Sequence, residues 1–269
     1  MIKNKVPFEN FININKKEIS YILGFIWADG YIRKPYNISV QVNMKDSKEL
    51  KSIFNKTGEW NYYITSRYDK RTQRKYESFI IQTSNKNIVD FLIENDYDKK
   101  SYISPSKILN LIPDNLKKYF YRGYSDGDGN FYIGENLYQY TLSGHYKQDW
   151  NFIKNLYENL DIKYTIKQVN NEKSKSSFVR IVNKNDIDIF GNYIYQNWDN
   201  IGLNRKYKKF LEIKKKDISR LFKWTKKEIE FLKENYTVNH SDLSKIMKRT
   251  KYSIDIKCSR LKLYKNKVN

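Results

Sequence analysis

Residues 21–32 read YILGFIWADGYI, and residues 120–133 read FYRGYSDGDGNFYI. Setting Gly24 on Gly123 brings Asp29 onto Asp128 and Gly30 onto Gly129, so one run ending in Asp-Gly occurs twice, 99 residues apart. A second match keeps nearly the same frame: SNKNIVDF at 84–91 lies over VNKNDIDIF at 182–190 and pairs Lys86 with Lys184. Self-similarity at a period of roughly a hundred residues means duplicated half-domains, because solenoid units are far shorter. Two acids and two lysines therefore come in matched pairs, the pattern of a symmetric active site.

Working outward, each half reads as helix, two strands, helix, two strands, helix. In the first half a helix at 17–29 precedes a strand in which Ile38, Val40, Val42 and Met44 face a core while Asn37, Ser39, Gln41 and Asn43 face out. A helix at 46–56, strands at 60–68 and 76–83 and a helix at 86–95 follow. The second half predicts a helix at 115–128, strands near 130–134 and 137–143, a helix at 146–159, strands near 163–169 and 177–183, and a helix at 185–197. Residues 170–176 form a polar loop between the last two strands. The halves span 1–97 and 115–219, and a connector at 98–114 holds Pro105 and Pro113, which disfavour helix continuation. A basic helix at 202–216 closes the second half.

From 220 to 269 the character changes. Thr225 and Glu228 form a capping box, and Trp224 and Ile229 are placed to staple it. Short helices to about 236, over 241–248 and over 251–262 follow, the last carrying Lys251, Tyr252, Lys257 and Arg260. Three such helices ending in a basic one read as a helix-turn-helix module, although a helical tail with a solvated basic face has the same pattern.

Composition narrows the partner. The chain has 269 residues and a net charge of +21, and residues from Arg205 onward hold +14 of it. That balance predicts a polyanion, nucleic acid first and an anionic membrane surface second. No run is long and apolar enough to span a bilayer, and no signal peptide or lipidation motif is present, so a cytoplasmic, nucleoid or organellar location is expected. Cys258 is the only cysteine, which excludes a disulfide framework and a cysteine zinc site. His145 and His240 are isolated from one another, and neither has a partner that predicts a triad or a zinc site.

The doubled motif carries the chemistry. Gly24 with Ala28, and Gly123 with Gly127, give each helix a stripe of small residues that lets two backbones approach. A plain packed helix pair stopped by glycine would look the same. The aspartates tip the reading. Asp29 and Asp128 stand at helix C-termini, where the dipole disfavours negative charge by about 0.3–1 kcal/mol. Side-by-side helices would also bring them together to repel, an arrangement that divalent cations between them would make tolerable.

Residues 22–30, ILGFIWADG, and 121–129, YRGYSDGDG, resemble the nonapeptide signature of the LAGLIDADG homing endonucleases. The resemblance covers about 17 to 216. It implies an α+β fold of two pseudo-symmetric αββαββα halves, with antiparallel sheets forming a DNA saddle and the motif helices at the interface. It implies metal binding by Asp29 and Asp128, assisted by the main-chain oxygens of Ala28 and Gly127, with Mg²⁺ as the ion and Mn²⁺ as a substitute. Lys86 and Lys184 take the place near which related enzymes keep lysines beside the scissile phosphates. Two departures stand out: Trp27 replaces an acid that Asp126 retains, and Arg122 replaces a small residue. Asp126 reads as a structural acid.

The substrate implied is double-stranded DNA, cut by a monomer to leave short 3′ overhangs. Unequal halves suit a long, nearly asymmetric target. Asn37, Ser39, Gln41, Asn43 and Arg67 in the first half, with Gln139, Thr141, Lys163, Thr165 and Lys167 in the second, form candidate base- and phosphate-contacting faces, which alternation alone cannot tell from a solvated sheet. An intron RNA-splicing maturase acting on its own RNA, and an inactive DNA-binding regulator, are the alternatives on the same fold. Self-splicing is not expected: Met1 opens the chain and Lys267-Val268-Asn269 lacks a His-Asn pair.

Overall fold

The computed structural model describes residues 9–12, 14–33, 36–134, 137–172, 174–215 and 224–263. The chain divides into two compact units, one ending at Lys215 and one beginning at Lys216. The expected boundary at 219/220 lies outside the described residues.

In the first unit a short α1 (Glu9–Ile12) precedes α2 (Lys17–Asp29), β1 (Gly30–Arg33), β2 (Asn37–Asn43), α3 (Ser47–Phe54), β3 (Asn61–Asp69), β4 (Arg74–Thr83) and α4 (Lys86–Glu94). A short α5 (Ser106–Leu111) bridges to α6 (Asp114–Asp128), β5 (Gly129–Ile133), β6 (Tyr138–His145), α7 (Asn151–Asn159), β7 (Thr165–Asn171), β8 (Ser174–Ile181), α8 (Lys184–Tyr195) and α9 (Asn204–Lys215). The two sheets are antiparallel with the same order, β1-β2-β4-β3 and β5-β6-β8-β7. Equivalent registers, Gly30 opposite Val40 and Gly129 opposite Leu142, confirm the duplication read from the motifs.

Helix α2 is buried on every side from Ile19 to Trp27, as is α6 from Tyr119 to Asp126. Their contact is backbone on backbone. A methyl added at Gly24 would collide with the Phe120 carbonyl oxygen, and one at Gly123 with that of Tyr21. Gly30 and Gly129 do not serve as left-handed stops, since their φ angles are −80° and −88°. They are glycine for want of space: a Cβ would lie 2.6 Å from the Tyr97 hydroxyl at Gly30 and 2.5 Å from that of Tyr140 at Gly129.

Several boundaries differ from expectation. Strand β2 ends at Asn43, and Met44 opens a 3₁₀ turn to Asp46, in which the Asn43 side chain accepts from the Lys45 amide. Residues 146–150 are not helical, and Trp150 sits buried ahead of α7 with its indole donating to Ser177. Most of the polar loop expected at 170–176 is strand, because β7 and β8 pair as far as Asn171 and Ser174. Arg122 turns out to be fully buried. Its guanidinium donates to the carbonyls of Ile194 at 2.5 Å and Ile201 at 2.7 Å and pairs with Asp199 at 3.0 Å, with the Tyr119, Tyr195 and Trp198 rings around it.

The second unit holds helices Lys226–Asn235, His240–Met247 and Lys251–Arg260 around a core of Leu232, Leu243, Ile254 and Cys258. The Thr225–Glu228 capping box is formed. Trp224, expected to staple onto Ile229, packs on that core beneath Arg249, whose guanidinium forks onto Glu228. Phe231 and Ile246 are exposed.

Candidate catalytic centre and nucleic-acid face

Asp29 and Asp128 close the two central helices, and the close backbone packing carries both to one end of the pair. A Cβ at Gly127 would lie 3.3 Å from Asp29 Oδ2, one residue from Asp128. Asp29 reaches solvent and Asp128 is half-buried, yet the dense protein beneath them penalises charge. Burial raises both carboxyls above their ordinary range. Asp128 is pushed up to about 7, with repulsion from Asp29 as the next cause.

The opposing charge comes from two lysines not singled out by the sequence. Lys100 Nζ donates to the carbonyls of Trp27 and Ala28 at 2.8 Å and of Gly30 at 2.6 Å. Lys206 Nζ donates to those of Ser125 at 3.0 Å, Asp126, Gly127 at 3.3 Å and Gly129 at 2.7 Å. Each ammonium thus caps the carbonyls that an α-helix leaves unpaired at its C-terminus. Burial lowers both lysines, Lys100 to about 8. After burial, the strongest influence of a cation on Asp29 is that of Lys206, whereas on Asp128 it is that of Lys100. Each acid therefore feels both lysines, and first the one that caps the other helix.

Lys86 and Lys184 make other contacts. Lys86 is exposed with its ammonium over Tyr36, and Lys184 pairs with Asp188 at 2.8 Å. Both open the helix that follows a half's fourth strand, so their match reflects the repeated fold. The signal that could have found Lys100 and Lys206 is electrostatic. Neither α2 nor α6 has a basic residue in its last turn, although each ends in an aspartate. Such ends require donors from elsewhere.

The oxygen donors suit a hard cation. Ala28 and Gly127 carbonyls accept from the lysines but keep a second lone pair each. Among the described residues no group of three or more His, Cys, Asp or Glu side chains could hold a metal. An ion here would rely on one carboxylate per half, carbonyls, water and ligand oxygens, a mixture Mg²⁺ accepts. Asp126 is a structural acid: Tyr21 donates to it at 2.8 Å and the Leu203 amide at 2.7 Å. His240 bonds Asp255 and the Tyr236 carbonyl.

On the outer face of the first sheet, Arg33, Gln41, Tyr63, Thr65, Arg67 and Ser78 line a groove of about 480 Å³. Ser39 lies on that face but is fully buried, opposite Tyr31 and Gln82, whose longer side chains flank it. Asn37 donates to Ser84, and exposed Asn43 spends its oxygen on the Lys45 amide. In the second sheet Gln139 donates to Thr141, and Thr165 and Lys167 are exposed. Lys163 precedes β7, its amide held by Asp186. Arg180, opposite both Thr141 and Thr165, belongs to the same row and was missed, as were Arg33 and Tyr63. In the second unit Lys251, Tyr252 and Arg260 are exposed, while Lys257 leans over Trp224.

Residues 115–195 match the family model of the LAGLIDADG-like domain. The second half of this chain is a LAGLIDADG-like domain. The first half repeats its order of elements and its motif helix, giving the single-chain, two-motif LAGLIDADG fold. The fold is similar to that of the homing endonuclease I-WcaI bound to its DNA recognition sequence, with a TM-score of 0.54 and 16% identity over 78% of this chain and 94% of that one. The homing endonuclease I-SmaMI bound to cleaved DNA matches at 0.46 and 15% identity, over 73% of this chain and 87% of that one. Full-length DUF199/WhiA from Thermatoga maritima matches at 0.46 and 18%, over 94% and 93%. No curated protein matches the sequence. Among the described residues no helix is long and apolar enough to cross a membrane.

Proposed function

We propose that this protein is a monomeric, site-specific double-strand DNA endonuclease that works with a divalent metal, Mg²⁺ or in substitution Mn²⁺. The observation that carries the reading is the pair of aspartates at one end of a backbone-packed helix pair, each beside a helix-capping lysine. Asp29 and Asp128 hold the ions, with the free lone pairs of Ala28 and Gly127 as further donors. When bound, the metal supplies charge stabilisation at phosphate oxygens and a more acidic water. Lys100 and Lys206 set positive charge, already oriented, where a phosphodiester gains negative charge, and orientation in advance is what makes such charge effective. The sheet faces grip a long, nearly asymmetric duplex, and the cut leaves short 3′ overhangs. The basic second unit, as a helix-turn-helix module, adds phosphate contacts through Lys251, Lys257 and Arg260.

Selection of cleaved sites from a randomised duplex library in Mg²⁺ tests this. Asp29→Asn and Asp128→Asn should bind the selected site in Ca²⁺ yet fail to cut both strands. Cutting by either variant at the wild-type rate removes those acids from the mechanism.

A further inference from the structure

The segments that deliver the two lysines are held crosswise. Lys206 lies in α9 of the second half, yet its neighbours are gripped by the first. Arg205 donates from Nε to Asp46 Oδ1 at 2.6 Å and from its terminal nitrogen to Oδ2 at 2.8 Å, and the Asn204 amide donates to Glu49 at 3.2 Å. Asp46, only 4% exposed, heads α3. Lys100 opens the connector and caps α2 of the first half, and there the second half does the holding. Gln148 donates to the Lys100 carbonyl at 3.0 Å, Asp149 accepts from the Ser104 amide at 3.1 Å, and Ser104 Oγ accepts from the Phe152 amide at 3.1 Å.

These anchors are counterparts. Asp149 stands 103 residues after Asp46, as the buried Ile153, Leu156 and Tyr157 stand after the buried Leu50, Ile53 and Phe54. A forked arginine–carboxylate pair fixes direction as well as distance. That matters for a lysine, whose four-carbon stem leaves its ammonium free to wander unless its backbone is fixed.

We infer that Asp46, and Gln148 with Asp149, are positioning residues that act across the boundary between halves: Asp46 sets Lys206 and the second-half pair sets Lys100. Each cutting centre is then complete only when both halves are folded and docked, so a half-assembled chain holds no competent centre. This consequence for cutting rests on the nuclease reading above, whereas the crossing itself belongs to the fold. A mere adhesive role for the same contacts would loosen both lysines together, and crosswise positioning loosens one at a time.

The test uses the full chain and reads each lysine separately, by competitive amine labelling resolved by mass spectrometry. In Asp46→Asn, labelling of Lys206 should rise about tenfold with Lys100 within about twofold of wild type, as local opening of one segment predicts. Gln148→Ala should give the reverse. Arg205→Gln removes the first restraint from its exposed side and should reproduce Asp46→Asn if that variant folds poorly. On a plasmid bearing the selected site, Asp46→Asn should slow nicking of one strand and Gln148→Ala that of the other, with binding in Ca²⁺ unchanged. Equal change at both lysines in either variant, no change in any, or equal slowing of both strands overturns the inference. Because labelling needs no DNA, a wild-type chain that never cuts would remove the nuclease reading while the crossing is still decided.

Discussion

Gly24 rests against the carbonyl oxygen of Phe120, and Gly123 rests against that of Tyr21. Neither obstacle is a side chain that can swing away. An alanine in a helix interior ordinarily adds about 0.5–1 kcal/mol of stability over glycine. Here the sign reverses: Gly24→Ala and Gly123→Ala should each cost about 2–3 kcal/mol or prevent folding, as overpacking does. Urea unfolding checks this, with Gly58→Ala as control, since a Cβ there meets nothing nearer than Trp60 Nε1 at 3.7 Å. A neutral Gly24→Ala would mean the helices sit further apart.

Arg122 gives a second stability test. It is fully buried and binds Asp199, which also accepts from Lys17 and Tyr119 at 2.8 Å each. Removing one partner of a buried pair costs about 3–5 kcal/mol. Arg122→Met should therefore destabilise by about that much, and Asp199→Asn by less, because Asp199 keeps some contact with water. Both are measured by chemical denaturation.

The fold was legible because its evidence is periodic. The alternation Ile38, Val40, Val42 and the doubled apolar helix each persist over many residues, so a misplaced boundary at Met44 or Trp150 does not change the topology. The aspartates were legible for the same reason, each closing a repeated run. Lys100 and Lys206 were not. They lie in irregular or terminal segments, 71 and 78 residues past their aspartates, so no fixed offset marks them. What identifies them is the carbonyl fan they cap, a three-dimensional feature. Lys86 and Lys184 share a frame, as each opens the same helix of its half. Ser39 shows a further limit: alternation gives the face of a strand, while burial depends on how long the neighbouring side chains are.

The aspartates make stability depend on pH with an unusual sign. Asp128 titrates near 7 in the folded chain and near an ordinary carboxylate value, about 3.9, when unfolded. The folded chain thus holds a proton that the unfolded chain has lost, and stability falls as pH rises between about 4 and 7. Lys100 behaves oppositely in a different window. Lowered to about 8 by burial, it costs stability below that pH and returns it as pH climbs toward the unfolded value. Metal-free protein should melt at lower temperature at pH 7.5 than at pH 5, and Mg²⁺ should raise Tm at pH 7.5 far more than at pH 5. In Asp128→Asn both differences should shrink. An equal pH slope in that variant would place the titration elsewhere.

Charge in the second unit should appear as salt dependence. Each lysine or arginine on a phosphate adds about one to the slope of log binding constant against log salt. Lys251→Gln with Arg260→Gln should lower that slope by about two on the selected site and leave the cut positions unchanged, as read by filter binding and end-labelled cleavage. An unaltered slope means the helix Lys251–Arg260 does not lie on DNA.

The four lysines separate repeat from chemistry. Lys100→Met and Lys206→Met keep the stem and remove the charge, and should lower the cleavage rate by about 10²–10³, the scale of losing one electrostatic stabiliser. Because the helix ends also lose their caps, melting temperatures must be measured alongside, and binding in Ca²⁺ should persist. Lys86→Ala and Lys184→Ala should stay within a few-fold of wild type, since the first ammonium lies over Tyr36 and the second is taken up by Asp188. Single-turnover cleavage of the selected duplex makes the comparison. If Lys86→Ala and Lys184→Ala lose the rate while Lys100→Met and Lys206→Met keep it, the caps are structural and the catalytic charge comes from the repeated pair.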